Sequence, residues 1–327
     1  MRIAVTGSIA TDHLMVFPGS FTEQLIEGSL EKVSLSFLAE SLDMRHGGVA
    51  ANVCFGLGGL GLRPLLVGAV GRDFEDYRVR LEEHGVDTSA VHVHDTRHTA
   101  RFVCTTDRDL NQIATFYAGA MAEAHRISVA RAAARAGGVD LVLVSPDDPA
   151  AMLRHTAECR ANGLPFAADP SQQLATLGRD EVRELLDGAR HLFTNEYEAA
   201  LLQERAEWTA EQVLARVGCW VTTLGAEGAR VETASGDTVK VPAVPVAGTA
   251  DPTGAGDAFR AGFLAGLAWD LGPEQAARLG CALAASVLEV VGTQTYRLSG
   301  ASLLERIRAG YGDAAAGQFA PRLAAVG

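Results

Sequence analysis

The segment Asp251-Pro252-Thr253-Gly254-Ala255-Gly256-Asp257 sets a turn, three small residues and a carboxylate ahead of the run Phe259–Leu267, whose apolar spacing suits a buried helix. Glycines at a helix start let backbone N–H groups converge on one spot, where the helix dipole also favours an anion. Phosphate repels a carboxylate, so Asp257 reads as a base working beside a phosphate rather than as a ligand for it. The combination points to phosphoryl transfer. Taken alone, the segment could also be a mere helix-initiating turn.

The common phosphate devices are missing. There is no G-x-x-x-x-G-K-[ST], and Lys32 and Lys240 are the only lysines. No H-R-D or D-F-G of the protein kinases occurs, and Gly7-x-x-x-x-Asp12 lacks the glycines of a dinucleotide fingerprint. Phosphate must then be met by backbone amides, metal and a few arginines, with Arg101 and Arg260 as candidates. The formal net charge of −12 argues against nucleic acid as a partner. Apolar residues at 48% and charged ones at 21% are ordinary for a soluble protein. The five scattered cysteines contain no C-x-x-C and read as small buried residues in a reducing compartment. The N-terminal apolar run is too short for a signal peptide, and no run approaches the ~18 residues of a membrane span. A cytoplasmic location without membrane contact is expected. His92, His94, Asp95 and His98 could in principle bind zinc, but no further ligand pattern follows and an exposed polar strand is the simpler reading.

These residues need elements to position them. Short apolar runs at Ile3–Thr6, Leu65–Ala69, Leu141–Val144, Phe166–Ala168, His191–Thr194 and Trp220–Thr223 alternate with helical patterns such as Val49–Leu60, Ala150–Ala161, Glu181–Leu186 and Pro273–Val290. That alternation predicts a doubly wound α/β fold, a mostly parallel sheet with helices on both faces. Two segments, approximately 14–42 and 95–118, break it. Val33–Leu38 alternates with period two, and Ala100–Thr105 and Gln112–Tyr117 flank the polar turn Asp107-Arg108-Asp109; they suggest antiparallel hairpins forming a small β-sheet lid. Ligands of open α/β sheets collect at the carboxyl ends of strands. Polar motifs stand there: Gly7–Asp12, Asp169–Gln173, Asn195–Glu198 and Leu224–Gly228. Each alone is a turn; together they predict one cleft.

The segment Asp251–Leu264 resembles the C-terminal signature of the ribokinase-like (PfkB) family of carbohydrate and nucleoside kinases, and Gly47-Gly48-Val49-Ala50-Ala51-Asn52, with Gly61 and Gly71, resembles its N-terminal one. Cys54 departs from the usual Ser, Thr or Ala. The likeness runs from Gly7 to about Gly292 and implies a single domain over 1–327. Val5–Met15, Ala167–Leu174 and His98–Phe102 with Phe116-Tyr117 are similar to bacterial adenosine kinases.

The resemblance implies ATP and Mg²⁺ as cofactors, with K⁺ a further possibility. It makes Asp257 the base and the amides of Gly254, Ala255 and Gly256 the anion hole. Asp12, Asn52, Gly47 and Gly48 would hold ribose hydroxyls. Asn195 and Glu198 would position Mg²⁺ and nucleotide phosphates, Glu198 indirectly, while Thr223, Gly225, Gly228 and Gly256 would line ATP. Asp251 and Thr253 fall where related kinases bind a monovalent cation. Phe37, Phe102 and Phe116 could clasp a base, though core packing explains any one of them, and Ser8, Ser36, Gln172 and Gln173 could add polar contacts. The expected reaction is transfer from ATP to the 5′-hydroxyl of adenosine, giving AMP. A sugar kinase of ribose or fructose type, or a catalytically silent nucleoside-binding protein, are the competing readings. Lid strands with open edges need covering, so a homodimer through them is expected.

Overall fold

Apolar runs separated by helices return to a sheet in parallel, because each crossover needs a dozen or more residues. The computed structural model, which describes residues 1–24 and 35–327, has this architecture. In chain order the strands are β1 (Ile3–Thr6), β2 (Ala10–Val16), β3 (Ser41–Gly47), β4 (Leu65–Gly71), β5 (Asp87–His94), β6 (Ala100–Thr106) and β7 (Gln112–Tyr117). They continue as β8 (Leu141–Val144), β9 (Phe166–Ala168), β10 (His191–Asn195), β11 (Cys219–Thr223), β12 (Ala229–Thr233) and β13 (Thr238–Val241). The large sheet runs β13-β12-β11-β10-β9-β8-β1-β4-β5, parallel except for β12 and β13. The chain winds outward through β4 and β5, then starts again at β8 on the other side of β1. Strand order reverses there, and a ligand crevice opens beyond the carboxyl ends of β1 and β8.

The helices are α1 (Phe21–Gln24), α2 (Val49–Gly59), α3 (Glu75–Glu83), α4 (Val129–Arg135), α5 (Pro149–Ala161) and α6 (Arg179–Leu186). After them come α7 (Glu196–Ala206), α8 (Ala210–Leu214), α9 (Ala255–Ala268), α10 (Pro273–Leu288) and α11 (Gly300–Leu323). Period-two alternation in the strands divides the core. Ile3 and Val5 of β1 join Val53, Phe263 and Leu279 on one face, whereas Ala4 joins Met152, Val182 and Leu202 on the other. All five cysteines are buried and free. No helix among the described residues is long and apolar enough to cross a membrane.

The second sheet has the order β3-β2-β6-β7. It differs from the hairpin expectation in two ways. β2 and β6 pair in parallel, so the sheet is mixed. Its first two strands are Ala10–Val16 and Ser41–Gly47. Residues 33 and 34 lie outside the described residues, and 35–39 form no strand. Phe37 packs instead on Phe17 and Phe21, with ring centroids 5.0 and 4.9 Å away. Local alternation cannot tell a strand from an aromatic cluster that happens to share its period.

α9 carries the glycine-rich segment at its N-terminus, and small residues set where it lies. A Cβ on Gly262 would stand 2.7 Å from Gly280 Cα and Leu279 O, and one on Gly56 would stand 2.7 Å from Ala261 Cβ. α9 is thus pressed against α10 and α2 at nearly backbone contact. Gly262→Ala is expected to cost about 1–3 kcal/mol through overpacking. Urea unfolding checks this; an unchanged midpoint would show that the helices part without penalty.

Candidate active site

The glycine-rich segment turns into α9 through Gly254, whose φ of +81° lies in the left-handed region. A Cβ there would stand 2.8 Å from Thr293 Cγ2. The Ala255 N–H bonds Pro252 O at 3.3 Å and closes the turn. The N–H groups of Gly254 and Gly256 have no partner among the described residues. Of the three proposed anion-hole amides, two are therefore open and one is committed to the turn.

Asp257 is the third residue of α9, half-buried, and accepts a hydrogen bond from Asn52 Nδ2 at 2.8 Å. Burial pushes its carboxyl above the ordinary value, against the Asn52 hydrogen bond and the Arg260 charge, with Glu198 pushing the same way as burial. Asn52 stands on α2 and is itself buried. Its Oδ1 accepts from Thr293 Oγ1 at 3.0 Å and Gln294 Nε2 at 2.9 Å. Gln294 also bonds Tyr77, whose hydroxyl donates to Gly47 O at 3.0 Å. Asn52 thus holds the carboxylate in place, and at most one amide hydrogen is left for a ligand. Neither Thr293, Gln294 nor Tyr77 follows from sequence spacing, because the three meet only through tertiary packing.

Asp12 lies on β2, where its carboxylate faces Gly47; a Cβ on Gly47 would stand 3.1 Å from Asp12 Oδ2. Burial raises its pKa, Arg45 lowers it and Asp251 raises it. Gly48, at φ +94°, starts α2, and a Cβ there would meet Ser8 O at 2.6 Å. Strand register sets Arg45, Asp12, Phe102 and Phe116 in one row across β3, β2, β6 and β7, all on one face of the small sheet. The two phenylalanines are cross-strand partners, half-buried and exposed respectively.

Several expected contacts are already committed elsewhere. Ser8 Oγ accepts from the Val49 N–H at 3.0 Å and so caps α2. Gln173 donates to Asp147 O at 2.7 Å and accepts from Thr176 Oγ1 at 3.0 Å. Gln172 is exposed at the end of β9, and Ser36 is exposed in the irregular segment 35–39. Among the histidines, His94 Nδ1 accepts from the N–H groups of Thr96 and Arg97, and His98 contacts Asp73.

Asn195-x-x-Glu198 is a capping box at the start of α7: Asn195 Oδ1 accepts the Glu198 N–H, and Glu198 Oε2 the Asn195 N–H, each at 2.8 Å. The other Glu198 oxygen accepts from Ser171 Oγ at 3.2 Å. Among the described residues no group of three or more His, Cys, Asp or Glu is set to hold a metal ion. Arg260, one of the two candidate phosphate arginines, is buried in an ion pair with Asp169, Nη2 to Oδ1 at 2.7 Å and Nε to Oδ2 at 2.5 Å. The other, Arg101, is bonded to Asp73 at 2.6 Å.

Beyond Gly256 lies a cavity of about 650 Å³ lined by Thr223, Gly225, Gly228, Val244, Phe259 and Leu288 among others. Gly228, at φ +99°, lets the chain pass close to Val241 O. Ala255 and Gly256, the two residues before Asp257, also line this chamber, so the start of α9 forms part of its wall.

Residues 7–299 match the pfkB family of carbohydrate kinases. A nucleoside kinase of Methanothermobacter thermautotrophicus is 34% identical over 256 residues, 76% of this chain and 80% of that protein. The structure of Burkholderia thailandensis nucleoside kinase in complex with inosine superposes with a TM-score of 0.82 at 33% identity, covering 95% of this chain and 98% of that one. Its complex described as ADP-inosine gives 0.79 at 32% identity, covering 95% and 96%.

The Asn52–Asp257 bond predicts a pH effect with a definite sign. A base at Asp257 would work only when ionised, and Asn52 lowers the pKa of this carboxyl. Asn52→Ala should therefore raise that pKa, move the acid limb of the kcat profile to higher pH and lower kcat roughly tenfold or more. An acid limb that stays in place would separate Asn52 from the charge on Asp257.

Proposed function

The chain belongs to the pfkB family of carbohydrate kinases, and from that premise we propose that it is an ATP-dependent purine nucleoside kinase, phosphorylating the 5′-hydroxyl of adenosine to give AMP. The observation that carries this reading is Asp257, held by Asn52, beside two open helix-start amides, one of them from Gly256, which lines the 650 Å³ cavity. Asp12, with the Gly47–Gly48 backbone, holds the ribose hydroxyls. Phe102 and Phe116 offer flat apolar surface to a base, which a sugar kinase does not need. Two further observations favour a nucleoside over a free sugar: the related enzymes named nucleoside kinase and the inosine-bound neighbour.

In the proposed reaction Asp257 takes the proton of the 5′-hydroxyl, and its fixed position sets the line of attack. The N–H groups of Gly254 and Gly256, with the α9 dipole, meet the transferred phosphoryl group. Phosphoryl transfer passes through a loose transition state, so positioning and charge matter more than base strength. Glu198, held by its capping box, would help hold an Mg²⁺ bound with ATP, which would supply neutralisation of the phosphate charge. Thr223, Gly225 and Gly228 line the nucleotide.

Asp257→Asn is expected to retain nucleoside binding and lose about 10²–10⁴-fold in kcat. Near-normal turnover would refute the role given to Asp257. Turnover of adenosine, inosine and ribose with Mg-ATP tests the substrate, and a wide preference for ribose would reverse the choice in favour of a sugar kinase. No ATP consumption with any of them would favour a silent binding protein.

The small sheet bears Leu42, Met44, Ile113, Phe116 and Tyr117 exposed, and every residue of its edge strand β7 is exposed. An open edge beside apolar surface favours pairing with a second copy, so a homodimer through this sheet is the proposed assembly. Light scattering at micromolar protein checks it; monomer alone would refute it.

A further inference from the structure

Asp251, which opens the glycine-rich segment, is not arranged to hold an added cation. Its Oδ1 accepts the Thr253 N–H at 2.9 Å and its Oδ2 the Gly292 N–H at 3.1 Å. Arg45 Nη1 lies 3.7 Å from the same Oδ2. Burial opposes ionisation here, but these hydrogen bonds and the Arg45 charge hold the carboxyl below its ordinary value. The carboxylate is thus ionised and already supplied with donors. This does not fit the K⁺ expected at Asp251 and Thr253.

Arg45 reaches this point from β3. It also bonds Asp43 through Nε at 2.7 Å and Nη2 at 2.5 Å, and it pairs in register with Asp12, whose carboxyl it pulls down. One guanidinium therefore faces three carboxylates, two from the small sheet and one from the segment that ends in Asp257. Beside it is a cavity of about 310 Å³ between β3 and residues 291–295, lined by Arg45, Arg80 and His46 with Asp43 as its single acid. A small cation placed there would be repelled by a guanidinium that stays charged at every working pH.

We propose that Arg45 is the built-in counter-cation of this site, tying the small sheet to the start of the glycine-rich segment and making turnover independent of K⁺. Arg45 acts through Asp12 and Asp251, and is a positioning residue. A fixed guanidinium does the work of an exchangeable ion and adds a mechanical link, since β3 and the segment before α9 then move together. The inference rests on the kinase reading above.

Rates with Mg-ATP and adenosine should agree within about twofold in KCl, NaCl and tetramethylammonium chloride at equal ionic strength. Activation by K⁺ of about fivefold or more over both other salts would overturn the proposal. Melting temperatures in the same salts decide the point without turnover: equal values support it, and a K⁺-specific rise overturns it. Arg45→Met should lower kcat about tenfold or more and acquire a response to K⁺, and Arg45→Lys should recover most of the loss. Wild-type rates for Arg45→Met without K⁺ would also overturn it. If no phosphate is transferred in any salt, the kinase reading fails, and the melting comparison still answers the cation question.

Discussion

On the proposed reading, a carboxylate that has to work beside an incoming phosphate sets the terms for the whole cleft. Asp257 must then be close enough to a hydroxyl to take its proton and must not repel the group being transferred. The open amides belong to Gly254 and Gly256, and the carboxylate to the next residue of the same first turn of α9, held by Asn52. The chain carries a net charge of −12 and only two lysines. Positive potential at the cleft therefore comes from the helix start and from arginines that are already partnered.

That arrangement depends on how closely α9 approaches its neighbours. Gly262 against Gly280 and Gly56 against Ala261 leave no room for a side chain. The buried Arg260–Asp169 pair pins the next turn of α9 to the end of β9. Replacing such a pair by apolar residues can be neutral for stability, while breaking one partner leaves a buried charge at a cost of about 3–5 kcal/mol. Its value here is geometric: it joins α9 to the strand end where the crevice opens.

The alternating pattern made the doubly wound core legible in advance. Parallel strands buried on both faces read as continuous apolar runs, and the runs at β1, β8 and β9 stand where expected. The small sheet was less legible. Its strands are half exposed, so their alternation is weak, and the alternation at 35–38 mimicked a strand while Ser41–Gly47, rich in charge, did not look like one. The Asn195-x-x-Glu198 spacing was visible, but its capping role is a local hydrogen-bond pattern that the spacing serves equally well. Ser8 and Gln173 were visible as polar residues at strand ends, yet their partners, the Val49 N–H and Asp147 O, come from other elements.

By itself the sequence determined the glycine-rich helix start with its acid, the absence of lysine-based phosphate loops and the six buried parallel strands at the centre of the large sheet. Each is a matter of neighbouring residues and their periodicity, and neighbours in sequence stay neighbours in the fold. Tertiary structure alone decided which partners the acids have. Asn52 reaches Asp257 across 205 positions, and Arg45 reaches Asp251 from the small sheet to the segment before α9. Charge and hydrogen bonding act over a few ångströms of space, and no spacing along the chain records where those ångströms fall.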